Sequence, residues 1–561
     1  MRLSFHKYPP VLPDIRQWPV YLLSKERDHF IRQLRTSIFQ SITDNGQRPV
    51  RALIERALYL ERSRIHDRPW KVDPPDERAF WTKVRKRLGT SPSEGDREVE
   101  YELLQEIIHR YAQEIVGTFN RNTFLFARRF LTLFFGRLLQ SIGGWSILSR
   151  RSHLQSKLNV VGEFEMVRKL MEKGTVIIVP THSSNLDSIL VGYMLDAILG
   201  LPSFSYGAGL NLYNTGYIAY FMNRLGAYRV DRRKKNLIYL ETLKSYSRLT
   251  LERGVNSIFF PGGTRSRSGI IEPKLKIGLL STAIEAQRSL LQHDRPEKVF
   301  IVPLNISYHF VLEAGSLVNE YLREEGKEKY IVSSREDSRS IRKTIKFIWK
   351  LMSKSSQVTF SISRPLDVLG NAVDEGGNSF DHQHRQIDVR DYFRLGTGIS
   401  AVAQRESQYS KTLAEKVVEC YYRDYVVLSS HLVACVAFDV LKSDHANLDL
   451  FSLIKLPEED YIFDSQVLVS GCEEMRLALL KLEAKGRVKI APSIKEGGPQ
   501  MLMDGIKNMG VFHTERPIFK DTKGRIRSES FKLLYFYHNR LDGYRKVENV
   551  EWDKLQVSFA G

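Results

Sequence analysis

Cysteine is scarce in this chain: three residues in 561, Cys420, Cys435 and Cys472, with no close pair among them. That leaves no material for a disulfide scaffold or a cysteine-rich zinc site, and it fits a reducing compartment. Long apolar runs are missing too. No stretch offers the roughly 18 nearly uncharged apolar residues of a membrane-spanning helix. The opening MRLSFHKYPPVLPD has no apolar core of the signal-peptide kind, so no secretory leader is expected. Acidic residues are in deficit, 65 against 84 Lys plus Arg, which makes the net charge +19, and the isoelectric point is near 9.6. Such a surface favours an anionic partner: nucleic acid, an anionic membrane or a phosphorylated small molecule. Zinc-finger spacings, basic-region heptads and RNA-binding aromatic motifs are all absent, so no nucleic-acid partner is expected. Internal repeats and low-complexity tracts are absent as well.

What is present suffices for a large core. The chain is 42% hydrophobic, and its length suggests about two to four domains. Three regions are expected: a helical N-terminal region (1–150), an α/β domain (151–370) and a mainly helical C-terminal region (371–561). Pro9, Pro10, Pro13 and Pro19 predict an irregular start. Phe30, Leu34, Ile38 and Ile42 then recur as one helical face. The charged, proline-broken segment from Asp67 to Glu100 reads as a linker or short helical hairpin, followed by a helix from Glu98 to Val116. The run from Phe124 to Trp145 is strongly apolar but carries Arg128, Arg129 and Arg137. Mid-bilayer arginine costs about 3 kcal/mol, so this helix is expected to lie on an anionic lipid surface with its arginines snorkelling, or across the neighbouring domain.

From Lys157 onward, short apolar runs alternate with helical stretches. Strands are expected at LNVVG, Thr175–Pro180, Ser203–Tyr206, Ala227–Val230, Ser257–Phe260, Val299–Leu304 and Gln357–Ile362. The intervening stretches read as helices, which is the rhythm of a mostly parallel sheet covered on both faces. Glu313 to Ser340 reads as a charged insertion or edge, Arg342 to Met352 as a helix, and Pro365 to Asp388 as a loop or lid. Helical periodicity returns from Tyr409 to Leu480, where His431 and the cysteines read as core residues. LLYFYHNRL, Leu533 to Leu541, is expected to dock back onto the body.

Two strand ends carry the chemistry. After VIIVP come His182 and Asp187, five positions apart. A strand-to-helix turn can bring that carboxylate to one ring nitrogen, fixing the tautomer while the other nitrogen takes a proton. No Gly-x-Ser-x-Gly nucleophile elbow accompanies them. Direct attack by a bound alcohol therefore fits better than an acyl-enzyme, with Ser183, Ser184 and Ser188 as rival nucleophiles. The second end, FFPGGTRSRSG, combines a tight Pro261–Gly263 turn with Arg265, Ser266 and Arg267, and then Lys274 and Lys276. Freed amides, Gly263 among them, and forked guanidinium donors suit phosphate oxygens; the spacing is not that of a nucleotide P-loop. The competing reading is a solvated basic loop.

These residues resemble the glycerolipid acyltransferase family, which includes glycerol-3-phosphate and lysophosphatidate acyltransferases. His182 to Asp187 matches its first block, His-x-x-x-x-Asp. Gly226 to Arg232 resembles the second, with Asp231 where the first arginine of a pair is expected. Phe260 to Ser266 matches the third, except that Gly262 replaces its glutamate; Glu272 could approach the same space. Ile301 to Ser307, with Pro303, matches the fourth. The resemblance covers about residues 157–310 and implies the following. His182 is the general base and Asp187 orients it. Arg265 holds the acceptor phosphate, joined by Arg267, Ser266, Gly263, Lys274 and Arg232, with Pro303 at the substrate site. Transfer of a fatty acyl group from acyl-CoA or acyl-ACP to the sn-1 hydroxyl of glycerol 3-phosphate is expected. Lysophosphatidate or another lysolipid is the alternative acceptor, and a lipid-binding protein on a degenerate fold is the non-enzymatic alternative. No metal and no permanently bound cofactor are expected. The implied location is peripheral, on the cytoplasmic side of the cell membrane.

Overall fold

The computed structural model describes residues 8–44, 49–67, 70, 72–90, 97–138, 158–210, 213, 216–324, 357–458, 461–510 and 513–547. The N-terminal part is a bundle of α1 (Pro19–Lys25), α2 (Arg27–Asp44), α3 (Val50–Asp67), α4 (Glu77–Thr90) and α5 (Arg97–Ile115). Pro19 opens α1 at its first position, where no N–H is needed, so it starts a helix and does not prolong the irregular leader. Phe30, Leu34 and Ile38 face Ile107 and Tyr111 in one buried cluster, which also takes in Tyr228, Ile238 and Tyr239 of the next domain. The bundle therefore docks through its own core. Ion pairs reinforce it: Arg64 meets Glu61 at 2.6 Å and Arg110 meets Glu77 at 2.6 Å.

Helix α6 (Arg121–Leu138) covers the described part of the apolar run; residues 139–145 lie outside the described residues. Its arginines do not act alike. Arg128 turns inward and grips Asp196 with two bonds of 2.7 and 2.6 Å, while Arg129 is exposed. A buried carboxylate, and not solvent or lipid, satisfies Arg128. Phe126 and Phe130 are 58% and 53% exposed, and the Phe126 ring stacks on Phe221.

The centre is a seven-stranded sheet in the order β1-β7-β6-β2-β5-β3-β4. Its strands are β1 (Leu158–Gly162), β2 (Gly174–Pro180), β3 (Ser205–Gly209), β4 (Ala227–Val230), β5 (Ser257–Ile258), β6 (Lys298–Tyr308) and β7 (Val358–Ile362). Strands β6, β2, β5, β3 and β4 run parallel, while β7 is antiparallel to β6 and carries β1 parallel to itself. Six of the seven residues of β2 are buried, as a strand covered on both faces requires. The covering helices are α7 (Phe164–Leu170), α8 (Asp187–Tyr193), α9 (Gly216–Met222), α10 (Leu237–Glu252) and α11 (Ile277–Gln292). Because β2, β4, β5 and β6 run the same way, their C-terminal ends open on one edge of the sheet. Loops there are the ones a parallel sheet offers to a ligand.

Two expectations change. Residues Ala314–Glu324 form a helix, α12, and not an edge insertion: Ala314, Leu317, Val318 and Leu322 make a buried stripe while its charges face out. The expected helix at Arg342 to Met352 lies outside the described residues. Pro365 to Asp388 is not a plain loop. It holds a small antiparallel sheet of β8 (Ala372–Val373), β9 (Ser379–Phe380) and β10 (Gln386–Ile387). Asp374 and Asp381 close its turns by accepting the amides of Asn378 and Arg385.

The C-terminal part contains α13 (Ala403–Asp424), α14 (Ser429–Asp444), α15 (Ser465–Ala484), α16 (Gly498–Asn508) and α17 (Phe531–Val547). Helix α14 is central, and His431 and Cys435 are fully buried on it. Helix α17, which contains LLYFYHNRL, packs against α14 and buries Leu534, Phe536, Tyr537 and Leu541. These helices share one continuous core with the sheet.

Candidate active site

The apolar strand β2 ends at Pro180, and the chain then turns through Thr181–Leu186 into α8. Asp187, at the first position of α8, is wholly buried and draws the turn around itself. Its Oδ2 accepts from the amides of Ser183 and Ser184 at 2.7 and 2.9 Å and lies 2.8 Å from His182 Nδ1. The carboxylate also sits at a helix N-terminus, where negative charge is favoured. Three partners on one oxygen fix the carboxylate in place, and the contact to Nδ1 orients the ring. Nε2 is left for a substrate: 18% of the His182 side chain is accessible, and among the described residues nothing bonds that nitrogen. Ser184 is not poised as a nucleophile, because its hydroxyl is spent on Glu313 Oε2 at 3.0 Å.

The second strand end meets the first. Phe260, just past β5, stacks its ring on the His182 imidazole at 4.2 Å. The Ser266 amide donates to the His182 carbonyl at 2.8 Å, so the basic loop is bonded directly to the histidine residue. The Ser266 hydroxyl donates to Ile270 O at 2.6 Å and shapes the loop. Gly263 has φ +78, and the Lys276 side chain lies across it. At Gly269, with φ +90, a Cβ would overlap the Phe536 carbonyl of α17, and Asn539 of the same helix donates to Ser268 O at 2.8 Å. The C-terminal helix thus clamps the loop.

The basic residues differ in availability. Arg265 lies 3.8 Å from Glu313 as a loose ion pair. Arg232, past the end of β4, is exposed at its surface, yet partial desolvation and then Arg265 beside it hold it below the usual arginine range. Among the described residues no carboxylate pairs with Arg232. Two neighbouring guanidinium groups whose charges act on each other are a donor set suited to an anion. Asp231 is buried and binds Arg233 at 2.7 Å, and Arg233 also reaches Asp73 of the N-terminal part. Arg233 is thereby structural and Arg232 remains for the site. Arg267 points elsewhere, to Glu320 at 3.3 Å and to Glu324, both on α12. Lys274 is exposed on the loop before α11. Pro303 is buried within β6, paired across to Val179, with its carbonyl accepting from Ser363 N. It belongs to the sheet, one residue back from the position that pairs with the last residue of β2.

Two residues that no motif marked, Tyr308 and Glu313, complete the arrangement together with Glu272, which was expected near this space. Tyr308, the last residue of β6, donates its hydroxyl to Asp187 Oδ1 at 2.6 Å. Glu313 receives the Asn185 amide at 3.1 Å as well as Ser184. Glu272 accepts the His182 amide at 2.7 Å, and burial raises its carboxyl above the usual range. The first two lie only a few residues past the fourth block, a position that was available as a signal.

Residues 158–307 match the Acyltransferase family. Glycerol-3-phosphate acyltransferases of Pseudomonas aeruginosa (strain LESB58) and Pseudomonas paraeruginosa (strain DSM 24068 / PA7) are each 28% identical over 451 residues, 79% of this chain and 45% of theirs. The chain therefore spans about half the length of the curated relatives it matches. The crystal structure of the 1-acyl-sn-glycerophosphate (LPA) acyltransferase PlsC from Thermotoga maritima aligns with 58% of this chain and 96% of its own, at 14% identity and a TM-score of 0.26. With four motif blocks in order, gathered at one edge of a mostly parallel sheet, and with that match over residues 158–307, the chain is similar to the glycerolipid acyltransferases.

Proposed function

We propose that this protein transfers a fatty acyl group from a thioester, acyl-CoA or acyl-ACP, to the sn-1 hydroxyl of glycerol 3-phosphate. The observation that carries the reading is the His182–Asp187 pair bonded, through Ser266, to the loop that bears Arg265. Arg265 and Arg232 hold the acceptor phosphate, which neutralises their mutual repulsion. Arg267 joins them only by leaving Glu320 and Glu324. His182 Nε2 takes the hydroxyl proton as the oxygen attacks the thioester carbonyl. The tetrahedral intermediate then expels the thiolate, which receives that proton from the imidazolium, and lysophosphatidate is released. Asp187 keeps Nδ1 protonated throughout and stabilises the cationic ring. The steps are nucleophilic addition and elimination at the carbonyl with one proton shuttled by His182, and they call on no resident cofactor.

The product prefers a membrane, so the site is expected to work at an anionic bilayer, peripherally and on the cytoplasmic face. The exposed Phe126 and Phe130 on α6, with Arg129 beside them, support that reading. Among the described residues no helix is long and apolar enough to cross a membrane. The relatives named as glycerol-3-phosphate acyltransferases support that acceptor over lysophosphatidate. A radiolabelled assay offering both acceptors with acyl-CoA and acyl-ACP tests it. Faster product formation from glycerol 3-phosphate is expected, and turnover of lysophosphatidate alone would replace the acceptor.

A further inference from the structure

The third motif block lacks its glutamate because position 262 is glycine, yet a carboxylate stands in that space. A Cβ built on Gly262 would meet the Glu272 side chain, 3.0 Å from its Cγ and 3.3 Å from its Oε1. A glutamate spans roughly 3 to 3.5 Å from Cβ to its carboxylate oxygens at ordinary bond lengths. The oxygen of Glu272 therefore lies where a glutamate at 262 could have put its own. That same oxygen, Oε1, accepts the His182 amide at 2.7 Å. The loop carrying Glu272 is itself tied down: the Lys276 amide donates to Pro261 O at 2.8 Å, and the Tyr422 hydroxyl donates to Ile271 O at 3.2 Å.

We infer that Glu272 is a positioning residue that supplies, from ten positions downstream, the carboxylate the third block has lost at Gly262, and that the two positions are coupled. Its task is to hold the backbone of His182. Asp187 grips the ring at Nδ1 and the two amides that follow, and Ser266 grips the His182 carbonyl. The His182 amide is the remaining handle on that residue, and Glu272 takes it. A histidine held at amide, carbonyl and ring has little freedom to move Nε2 off the line of attack, and displacement of about 1 Å is enough to cost a large factor in rate. Glycine at 262 is then a requirement of Glu272, since any side chain there would press on it.

The inference rests on the proposed acyl transfer and is tested with the full chain in four variants. Glu272→Ala is expected to lower kcat at least 100-fold with the glycerol 3-phosphate KM and the thermal midpoint nearly unchanged. Glu272→Gln, which keeps an acceptor oxygen, is expected to stay within about tenfold of wild type. Gly262→Glu alone is expected to lose activity by crowding Glu272. The swap Gly262→Glu with Glu272→Gly is expected to recover at least tenfold over the poorer single variant. A swap no better than the single variants would overturn the coupling. Glu272→Ala with wild-type kcat would overturn the positioning role, provided wild type turns over and His182→Ala does not. If His182→Ala also retains turnover, it is the proposed mechanism that fails, so the two failures are distinct.

Discussion

The Tyr308 hydroxyl sits 2.6 Å from Asp187 Oδ1 and donates to it. Asp187 is wholly buried, so both its oxygens need donors, and β6 delivers this one from 121 residues away. A hydrogen bond to a charged group contributes about 1.5–3 kcal/mol. Tyr308→Phe should therefore lower kcat by roughly one to two orders of magnitude, about the factor those energies imply, with little change in either KM. Steady-state kinetics with both substrates varied checks this; an unaltered kcat would remove Tyr308 from the arrangement.

The arginines should separate. Arg265→Ala and Arg232→Ala are expected to raise the glycerol 3-phosphate KM by at least tenfold and the acyl-donor KM far less. Arg267→Ala should have a smaller effect on the acceptor, because its guanidinium is engaged with Glu320 and Glu324. Acceptor saturation curves for the three variants decide it, and a ranking with Arg267 foremost would move the phosphate.

At Gly269 the chain has φ +90 and passes against the Phe536 carbonyl. Gly269→Ala adds both a left-handed backbone penalty of about 1–2 kcal/mol and a direct overlap. It should lower the thermal midpoint by several degrees and weaken acceptor binding together, since α17 clamps the basic loop. Scanning calorimetry alongside the acceptor KM measures both.

Acid should destabilise the protein through three histidines, His309 and His431 buried and His513 partly so. Burial pushes His309 down to about 4, His431 to about 3 and His513 to about 4, from an ordinary 6.5. In the unfolded chain they protonate near 6.5, so below that pH the unfolded state binds more protons. Their contribution is complete above pH 6.5 and is lost as pH falls toward 4, by at most about 1.4 kcal/mol per pH unit for each. Thermal unfolding at pH 7.5 and pH 5 should show a drop of several degrees; equal midpoints would contradict the burial of these rings.

Much of this was legible in the chain. The strand at Thr175–Pro180 announced itself by an unbroken apolar run, and His182 and Asp187 by their spacing at its end. Helix α12 was legible in principle, from Ala314, Leu317, Val318 and Leu322 at helical intervals, but Glu313, Glu320, Arg323 and Glu324 between them read as a charged edge. Pairings across distant segments could not be read. Nothing in the run Arg265 to Arg267 tells which guanidinium faces an anion and which is captured by α12. Nor does the sequence around Asp231 show that its partner is Arg233, itself held by Asp73. Arg128 carried the same ambiguity: an arginine in an apolar helix can seek lipid or a buried aspartate, and only the fold brings Asp196 to it.

The most direct test of the account is acyl transfer to glycerol 3-phosphate by wild type and by His182→Ala, each first shown to be folded by circular dichroism and thermal unfolding. Product from wild type and a loss of at least a thousandfold in the variant, at an unchanged fold, are expected. Turnover by His182→Ala close to that of wild type would contradict it.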